Sequence, residues 1–182
     1  MLVLLDRDGV INEDRDDFVK SPDELVFVPG ALAAIARLKR HGHILAIVTN
    51  QSCIGRGIIT PDTLHNIHEK LLDAIRAIGS DIDHIFVAPD APWEATENRK
   101  PGSGMMKSAM LMFKERASNT VLIGDSKTDM QAAAAAGCHR ILVRTGKGAK
   151  TQADGIPSNL LPVSIAKDLE EASGFIIGGR FS

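Results

Sequence analysis

The sequence predicts an α/β fold in which a mostly parallel sheet lies between two layers of helices, a Rossmann-like three-layer sandwich. Two observations predict it. Short apolar runs of strand length alternate strictly with segments of helical periodicity, an order typical of a parallel sheet with helices on both faces. The apolar runs are also continuous rather than alternating, as expected for strands buried on both faces. With 182 residues, the chain suits a single domain, residues 1–182.

Five apolar runs are predicted as strands. The first, Leu2–Leu5, contains only leucine and valine and stops at Asp6. The other four are residues 44–48, 84–87, 120–123 and 140–143. Each falls within the usual range of strand lengths, and none is long enough to form an ordinary helix.

Helical periodicity separates these runs. A helix is predicted over Ala31–Arg40, because its apolar side chains recur three and four residues apart and Gly42 follows its end. Thr60 followed by Pro61 is typical of a helix N-terminus, with an N-cap and a proline in the first turn. This second helix is predicted to stop at Gly79.

The second half of the chain continues the same alternation. Apolar residues within 106–113 predict a third helix, and an alanine-rich segment that ends at Gly137 predicts a fourth. Ser164 is expected to cap a last helix. The polar, proline-bearing segment 88–104 is expected to be a loop, and residues 145–155 a mobile surface loop.

The composition is that of an ordinary globular protein, with 44% hydrophobic and 24% charged residues. The 21 basic and 23 acidic residues nearly balance, which argues against a generally basic nucleic-acid-binding protein. No apolar stretch approaches the length of a membrane span, and the first apolar run is too short for a secretory signal. With only two cysteines, a disulfide framework is excluded and a cytoplasmic location is expected.

Polar residues follow three of the predicted strands. Asp6 and Asp8 come directly after the first strand, Thr49 after the second and Asp125 after the fourth. Because ligands bind at the carboxyl ends of the strands in such sheets, these side chains are expected to meet there. Lys100 lies in the long loop after the third strand and is expected to reach the same edge.

These residue types predict one kind of chemistry. Asp6, Asp8 and Asp125 offer the hard oxygen ligands that Mg²⁺ prefers. Without a cation, the three carboxylates would repel and raise one another's pKa values. The Thr49 hydroxyl and the Lys100 ammonium suit the oxygens of a phosphoryl group. The set therefore predicts magnesium-dependent phosphoryl transfer to a carboxylate.

Four motifs follow one another along roughly residues 1–150. They are Asp-Arg-Asp-Gly-Val-Ile at 6–11, Val-Thr-Asn-Gln at 48–51, Arg-Lys-Pro at 99–101 and Gly-Asp-Ser-Lys-Thr-Asp at 124–129. In this order they resemble the motifs of the haloacid dehalogenase-like phosphatases. More narrowly, the chain resembles the heptose 1,7-bisphosphate phosphatases and their relatives, the histidinol-phosphate phosphatases. One motif alone would be weak evidence, but four in order are strong.

The resemblance implies a role for each motif residue. Asp6 would be the nucleophile that forms an aspartyl-phosphate, and Asp8 would be the general acid and then the general base. Mg²⁺ would be held by the Asp6 carboxylate, the Asp8 backbone carbonyl and Asp125. Thr49 and Lys100 would hold the phosphoryl group.

The resemblance also implies a small phosphorylated sugar as substrate, with removal of the 7-phosphate of D-glycero-D-manno-heptose 1,7-bisphosphate. Asp129 is expected to orient Lys100 or the Asp125 loop rather than bind the metal. Contacts to the substrate are expected from Asn50, Gln51, Arg56, Arg99 and Lys127.

The intervals between the motifs leave no length for an inserted cap domain. One predicted helix lies between the first and second motifs, and one helix and one strand lie between the second and third. We therefore expect a capless fold with an open site, in a protein that is a monomer or a weak homo-oligomer. Specificity would be set by loops 12–21, 52–59 and 88–99. Their basic residues that would meet a second phosphate are Arg15, Lys20, Arg56 and Arg99.

The third of these loops departs from the family pattern. Heptose phosphatases carry zinc-binding Cys-x-His and Cys-x-Cys pairs before the Arg-Lys-Pro motif, whereas this chain has Ala-Pro-Asp at 88–90 and Thr-Glu-Asn at 96–98. Zinc sites need three or four such ligands, so no zinc is predicted. Cys53, where the family usually has glycine, is a second departure. What holds the loop without zinc ligands is left open by the sequence.

Other interpretations stay open at this point. Histidinol phosphate or another small metabolite is the alternative substrate. A receiver domain also takes a phosphoryl group on an aspartate, but Asp8, two residues beyond Asp6, favours turnover. A degenerate phosphate-binding or interaction protein is the non-enzymatic alternative. His65, His68 and Glu69 share one helical face, which we interpret as an exposed polar face rather than a metal site.

Overall fold

The computed structural model describes residues 1–181. One sheet of six strands forms its centre, and every pair of neighbouring strands is parallel, in the order β3-β2-β1-β4-β5-β6. Strand β1 therefore lies between β2 and β4, which brings the ends of the three motif-bearing strands together. The strands are β1 (Leu2–Leu5), β2 (Ile44–Asn50), β3 (His84–Ala88), β4 (Thr120–Gly124), β5 (His139–Val143) and β6 (Ser164–Ala166).

The helices lie on both faces of this sheet, as the alternation of elements predicts. Helices α1, α3 and α7 cover one face, and α4 and α5 cover the other. The bounds are α1 (Ala31–Arg40), α2 (Ser52–Gly55), α3 (Pro61–Ala77), α4 (Gly104–Phe113), α5 (Lys127–Ala136), α6 (Gly148–Ala153) and α7 (Leu169–Ile177). The three-layer sandwich is thus confirmed, with a sheet that is parallel throughout its described strands.

The central strand shows why its sequence is continuously apolar. Val3 and Leu5 pack into the core beneath α1, α3 and α7, whereas Leu2 and Leu4 pack against α4 and α5. All four side chains are fully buried, because successive residues of a strand point to opposite faces and both faces are covered. Truncating one such leucine to alanine typically costs about 2–5 kcal/mol of stability.

Two helix starts follow the predicted chemistry closely. At α3 the Thr60 hydroxyl accepts a hydrogen bond from the Thr63 amide at 3.1 Å, with Pro61 in the first turn. At α5 Ser126 and Asp129 form a reciprocal capping box, in which the Asp129 carboxylate accepts from the Ser126 amide at 3.0 Å. This box fixes Asp129 at the end of β4, beside the predicted site.

Two segments near the C-terminus differ from the prediction. Ser164 begins the edge strand β6 instead of capping a helix, and Asp168 caps α7 by accepting from the Glu171 amide at 2.9 Å. Residues 145–155 were expected to be a mobile loop but contain helix α6. Both differences arise because short elements are stabilised by contacts with distant segments, which local sequence patterns do not reveal.

None of the helices within residues 1–181 is long and apolar enough to cross a membrane.

Candidate active site

The predicted site residues meet at the carboxyl edge of the sheet. A cleft of about 780 Å³ opens there, lined by residues of the loops that follow β1, β2, β3 and β4 and of the segment 147–154 after β5. Four buried acidic and basic side chains lie at or beneath its base, and we call them the floor cluster: Asp6, Lys100, Asp125 and Asp129. Five side chains line its outer part, and we call them the rim: Arg15, Phe18, Arg56, Arg99 and Lys127.

A buried ion-pair network holds the floor cluster together. The Lys100 ammonium lies 2.9 Å from Asp6 Oδ2 and 2.6 Å from Asp129 Oδ1, and it donates to the Val48 carbonyl at 3.0 Å. The contact with Asp129 Oδ1 is an ion pair without aligned hydrogen-bond geometry. Burial disfavours the charge, yet Asp129 and Asp6 raise the pKa of Lys100 above its ordinary value. Lys100 is therefore a fixed cation beside Asp6, and Asp129, which we expected to orient Lys100 or the Asp125 loop, is its second ion-pair partner.

The loop that carries Lys100 is tied to the end of β2. The Asn50 side-chain amide donates to the Lys100 carbonyl and accepts from the Lys100 amide, each at 3.0 Å. Asn50 therefore positions Lys100 in addition to lining the cleft. Thr49 is fully buried beside it, and its hydroxyl oxygen accepts from Gln51 Nε2 at 2.9 Å.

The floor cluster carries more negative charge than Lys100 balances. One oxygen each from Asp6, Asp125 and Asp129 lies within 4.8 Å of the others. Burial, reinforced by Asp129, raises the pKa of Asp6 well above its ordinary value and that of Asp125 to about 7. A hard divalent cation would remove this repulsion, so the donor set fits Mg²⁺.

Backbone segments close tightly around Asp125. A Cβ on Gly9 or Gly146 would overlap the Asp125 carboxylate, and both glycines have positive φ angles of 80° and 54°. The Lys147 amide donates to Asp125 Oδ2 at 2.7 Å, and the Thr151 hydroxyl donates to the Asp125 carbonyl at 3.0 Å. Lys147 and Thr151 belong to segment 145–155, for which the sequence predicts a mobile surface loop, so their contacts with Asp125 could not be predicted.

Asp8 has the opposite environment from Asp6. Arg7 donates to its two carboxylate oxygens at 2.8 and 3.1 Å, Asn12 donates to it at 2.9 Å and Gln51 at 2.8 Å. Burial would raise the pKa of Asp8, but these partners together hold it below its ordinary value. Gln51 thus donates hydrogen bonds to both Asp8 and Thr49. Asn12 and Arg7 are further site residues, which sequence analysis did not single out.

Arg7 leads to a correction concerning His68. The sequence placed His68 on an exposed polar face, but its side chain is buried and its Nε2 atom lies 3.2 Å from Arg7 Nη1. Burial and the Arg7 charge lower the pKa of His68 to about 4. The available signal was the helical spacing of α3, because His68 lies four residues after Leu64 and three before Leu71, which are both buried.

The rim brings two guanidinium groups together. Burial and the charge of Arg56 lower the pKa of Arg99, whose Nη1 donates to the Asp90 carbonyl at 3.0 Å. The Arg56 guanidinium lies 5.1 Å from the Trp93 ring centre and 6.0 Å from that of Phe18. Arg56 and Arg99 therefore give the rim two guanidinium groups, although the whole chain carries a net charge of −2.

The other basic residues that were predicted to contact the substrate differ in whether acidic neighbours already pair with them. Arg15 and Lys20 are both paired with Asp17 and Glu24, which neutralise them locally. Lys127 lines the cleft and is exposed at the start of α5.

Loop 88–99 is held by hydrogen bonds and close backbone packing. The Asp90 carboxylate accepts from the Thr96 amide at 2.9 Å and from the Thr96 hydroxyl at 2.5 Å. The Arg99 amide donates to the Thr96 carbonyl at 3.1 Å. The Gly55 amide donates to the Pro89 carbonyl at 3.0 Å, and a Cβ on Gly55 would meet this backbone. These contacts hold loop 88–99 in a chain that has no zinc ligands there, which the sequence had left open.

Sequence comparison places the chain among known enzymes. A family model described as HAD-hydrolase-like matches residues 97–172. The D-glycero-beta-D-manno-heptose-1,7-bisphosphate 7-phosphatase of Bordetella bronchiseptica is 44% identical over 154 residues, which cover 85% of this chain and 86% of that protein. The protein of the same name from Neisseria meningitidis is 45% identical over 150 residues, covering 82% and 80%.

Structural comparison gives the same result. The crystal structure of D,D-heptose 1,7-bisphosphate phosphatase from B. bronchiseptica, complexed with magnesium and phosphate, has a TM-score of 0.92 at 40% identity and covers 97% of this chain and 98% of that one. The enzyme of this name from Burkholderia thailandensis has a TM-score of 0.74 at 39% identity, with 97% of both chains covered. This chain therefore belongs to the family of the D-glycero-beta-D-manno-heptose-1,7-bisphosphate 7-phosphatases, within the HAD-like hydrolases.

Proposed function

We propose that this protein is a Mg²⁺-dependent phosphomonoesterase that removes the 7-phosphate of D-glycero-D-manno-heptose 1,7-bisphosphate. The observation that carries the proposal is Asp6, whose carboxylate lies at the base of the cleft beside the buried Lys100 ammonium. A carboxylate fixed next to a permanent cation suits nucleophilic attack on phosphorus. The names of the relatives support the choice of substrate.

In the first step an Asp6 oxygen attacks phosphorus while the bond from phosphorus to the sugar oxygen breaks. The leaving sugar oxygen takes a proton from Asp8, so the products are the alcohol and an aspartyl-phosphate on Asp6. In the second step a water oxygen attacks the same phosphorus and gives a proton to Asp8. The bond between phosphorus and Asp6 then breaks, which restores the Asp6 carboxylate and releases phosphate.

Asp8 suits this double role because its partners fix its position. Arg7, Asn12 and Gln51 hold it ionised in the free protein, as its lowered pKa indicates. A bound phosphate brings further negative charge, which favours the protonated form. The proposed reaction requires Asp8 to be protonated in the substrate complex, so that it can give its proton to the leaving oxygen.

The remaining groups of the site bind and orient the phosphoryl group. Lys100 supplies positive charge to its oxygens. Because Gln51 donates to the Thr49 oxygen, the Thr49 hydroxyl proton is free to be donated elsewhere. Asp6, the Asp8 backbone carbonyl and Asp125 would hold Mg²⁺, which would offset the charge of the transferring group.

We propose that the rim binds the second phosphate of the substrate. Arg56 and Arg99 both line the cleft, and the charge of Arg56 helps to lower the pKa of Arg99, an arrangement that a bound anion would stabilise. Arg15 and Lys20 are secondary candidates because acidic neighbours already pair with them, and Lys20 is not among the residues that line the described cleft. Lys127, the first residue of α5, would contact the substrate from the side of the cleft that α5 forms. The chain would work as one capless domain, as a monomer or a weak homo-oligomer.

The test is phosphate release with Mg²⁺ from a panel of phosphate esters. The panel contains both anomers of the heptose 1,7-bisphosphate, histidinol phosphate, fructose 1,6-bisphosphate and a nucleoside monophosphate. We expect one heptose bisphosphate to exceed the other compounds by a hundredfold or more in kcat/KM, about 2.7 kcal/mol of transition-state binding. Equal turnover across the panel would contradict the proposed substrate, and no turnover would contradict the proposed reaction.

A further inference from the structure

Arg7 connects the acid–base residue Asp8 with a helix that is distant in sequence. Its side chain is 1% exposed. One end of the guanidinium, Nη2, donates to both Asp8 oxygens, and the other end, Nη1, lies 3.2 Å from His68 Nε2 in the middle of α3. Arg7 and His68 are 61 residues apart in the sequence, so their contact depends on the tertiary structure.

The chemistry of the contact fixes the state of His68. A guanidinium has five N–H donors and no acceptor, so His68 Nε2 must accept the hydrogen bond and carry no proton. His68 is therefore neutral, which agrees with its lowered pKa. The imidazole acts as an acceptor for a buried cation, and that role does not require it to titrate.

Arg7 has few other anchors. Among residues 1–181 its Nε atom is buried and has no hydrogen-bond partner. The guanidinium is thus held at one end by Asp8 and at the other by His68. Without the contact between Arg7 Nη1 and His68, only the Asp8 carboxylate would fix the orientation of the guanidinium.

We propose that His68 is a positioning residue for Asp8 and that it acts through the Arg7 guanidinium. This inference rests on the proposed function, in which Asp8 protonates the leaving sugar oxygen. His68 touches neither the cleft nor the substrate, since it does not belong to the residues that line the described cleft. Its effect is to keep the Arg7 donors aligned, so that the Asp8 carboxyl faces the leaving group in one orientation.

The dependence on the leaving group distinguishes this role from a structural one. A sugar alkoxide is a poor leaving group and needs the proton from Asp8, whereas p-nitrophenolate leaves as an anion. The ratio kcat/KM covers only the steps up to release of the alcohol or phenol, so it isolates the first transfer. A fault in the alignment of Asp8 therefore slows the sugar phosphate selectively.

The experiment compares variants of the whole protein with Mg²⁺ on heptose 1,7-bisphosphate and p-nitrophenyl phosphate. His68→Leu fills similar space without an acceptor, and His68→Met repeats the test if the leucine variant fails to fold. We expect kcat/KM for the heptose substrate to fall about tenfold or more, and that for p-nitrophenyl phosphate to fall about twofold or less. His68→Gln keeps an acceptor and should restore at least half of the loss, measured on a logarithmic scale.

The control is His65→Ala, which removes an exposed histidine one turn earlier on α3 and should change neither value. An equal fall for both substrates in a folded variant would mean a structural role and would overturn the inference. Unchanged activity on the heptose substrate would also overturn it. No turnover of either substrate by the unsubstituted protein would overturn the proposed function, and this role with it.

Discussion

The floor cluster and the rim hold their charges in opposite ways. Asp6, Lys100 and Asp129 are 9%, 3% and 0% exposed, and ion pairs of 2.6 and 2.9 Å join them. Arg56 at the rim is exposed and is held against two aromatic rings rather than by a carboxylate. The charges of the floor cluster are therefore fixed before a substrate binds, in a site that is shielded from water. The exposed cations of the rim, in contrast, can still bind an incoming anion.

This difference shows how the two parts divide the work. Electrostatic groups that act on a transition state are most effective when they are fixed and shielded from water. Groups that select a substrate must give up their hydration when it binds, and they are carried on loops that vary more readily. Changes at the floor should therefore affect turnover and stability, and changes at the rim should affect KM and selectivity.

The largest effect is expected for Asp6→Asn. The amide cannot act as the nucleophile, so turnover should fall by about 10⁴-fold or more while the thermal unfolding curve remains cooperative. Phosphate release and circular dichroism measure the two quantities. Asp23→Asn, at a fully exposed aspartate, is the control. Substantial turnover by Asp6→Asn would rule out Asp6 as the nucleophile.

Lys100→Gln is expected to destabilise the protein. It leaves Asp6 and Asp129 buried without their cation, so the free energy of unfolding at pH 7 should fall by about 3–5 kcal/mol. Denaturant unfolding without added Mg²⁺ measures it. Lys167→Gln removes an exposed ammonium and should have little effect. Equal stability of the two variants would mean that the buried network contributes nothing.

The buried His68 makes stability depend on pH. Its pKa is about 4 in the folded protein and 6.5 in the unfolded chain, so the unfolded state takes up the proton first as the pH falls. The stabilising effect of keeping His68 neutral is complete above pH 6.5 and is lost as the pH approaches 4, by on the order of 3 kcal/mol. His68→Gln should lack this part of the acid sensitivity in denaturant titrations, and His65→Gln should retain it. Parallel curves for all three proteins would contradict the burial of a neutral His68.

A smaller effect is expected at the rim. Arg99→Ala should raise KM for the heptose bisphosphate by about 10- to 100-fold, since charge-assisted hydrogen bonds contribute about 1.5–3 kcal/mol, while kcat stays within about twofold. The same variant should hardly change kcat/KM for a heptose monophosphate that lacks the second phosphate. Arg40→Ala, at an exposed position of α1, is the control. A loss in kcat with constant KM would place Arg99 in the reaction instead.

The smallest effect is expected from the loop that carries Arg99. Asp90→Ala removes the acceptor for the Thr96 amide and hydroxyl, which are exposed hydrogen bonds worth about 1 kcal/mol, so KM should rise about fivefold. Thr96→Ser keeps both donors and should behave as the unsubstituted protein. Glu94→Ala removes another exposed carboxylate of the loop as a control. If Asp90→Ala and Glu94→Ala gave equal KM values, the Asp90–Thr96 contact would not position Arg99.

Much of the fold was predictable because the main elements have strong local patterns. Helix α1 has the predicted bounds, and Thr60 caps α3 as its sequence indicates. Strand β6 was not recognised, because its three residues are ordered by pairing with β5 and carry no pattern of their own. Helix α6 was missed for a similar reason, since Thr151 is ordered by contact with the distant Asp125 carbonyl.

For the candidate site, the motifs identified the residues but not their partners. Asp6, Lys100 and Asp125 lie together as expected, because their strand order brings the carboxyl ends to one edge. The pairing of Asn50 with the Lys100 backbone was not foreseen, since it depends on how loop 88–99 folds back over β2. The burial of His68 was also missed, because its polar residue type was given more weight than its spacing from Leu64 and Leu71, which places it on the apolar face of α3.

The sequence by itself determined the layered α/β architecture, the residues gathered at the sheet edge and the absence of zinc ligands in loop 88–99. These are properties of residue type and order, which act over a few positions along the chain. The tertiary structure alone decided the contrasting environments of Asp6 and Asp8, the link from His68 through Arg7, and the neighbouring arginines at the rim. Burial and charge proximity are sums over side chains far apart in sequence, so they exist only once the chain has folded.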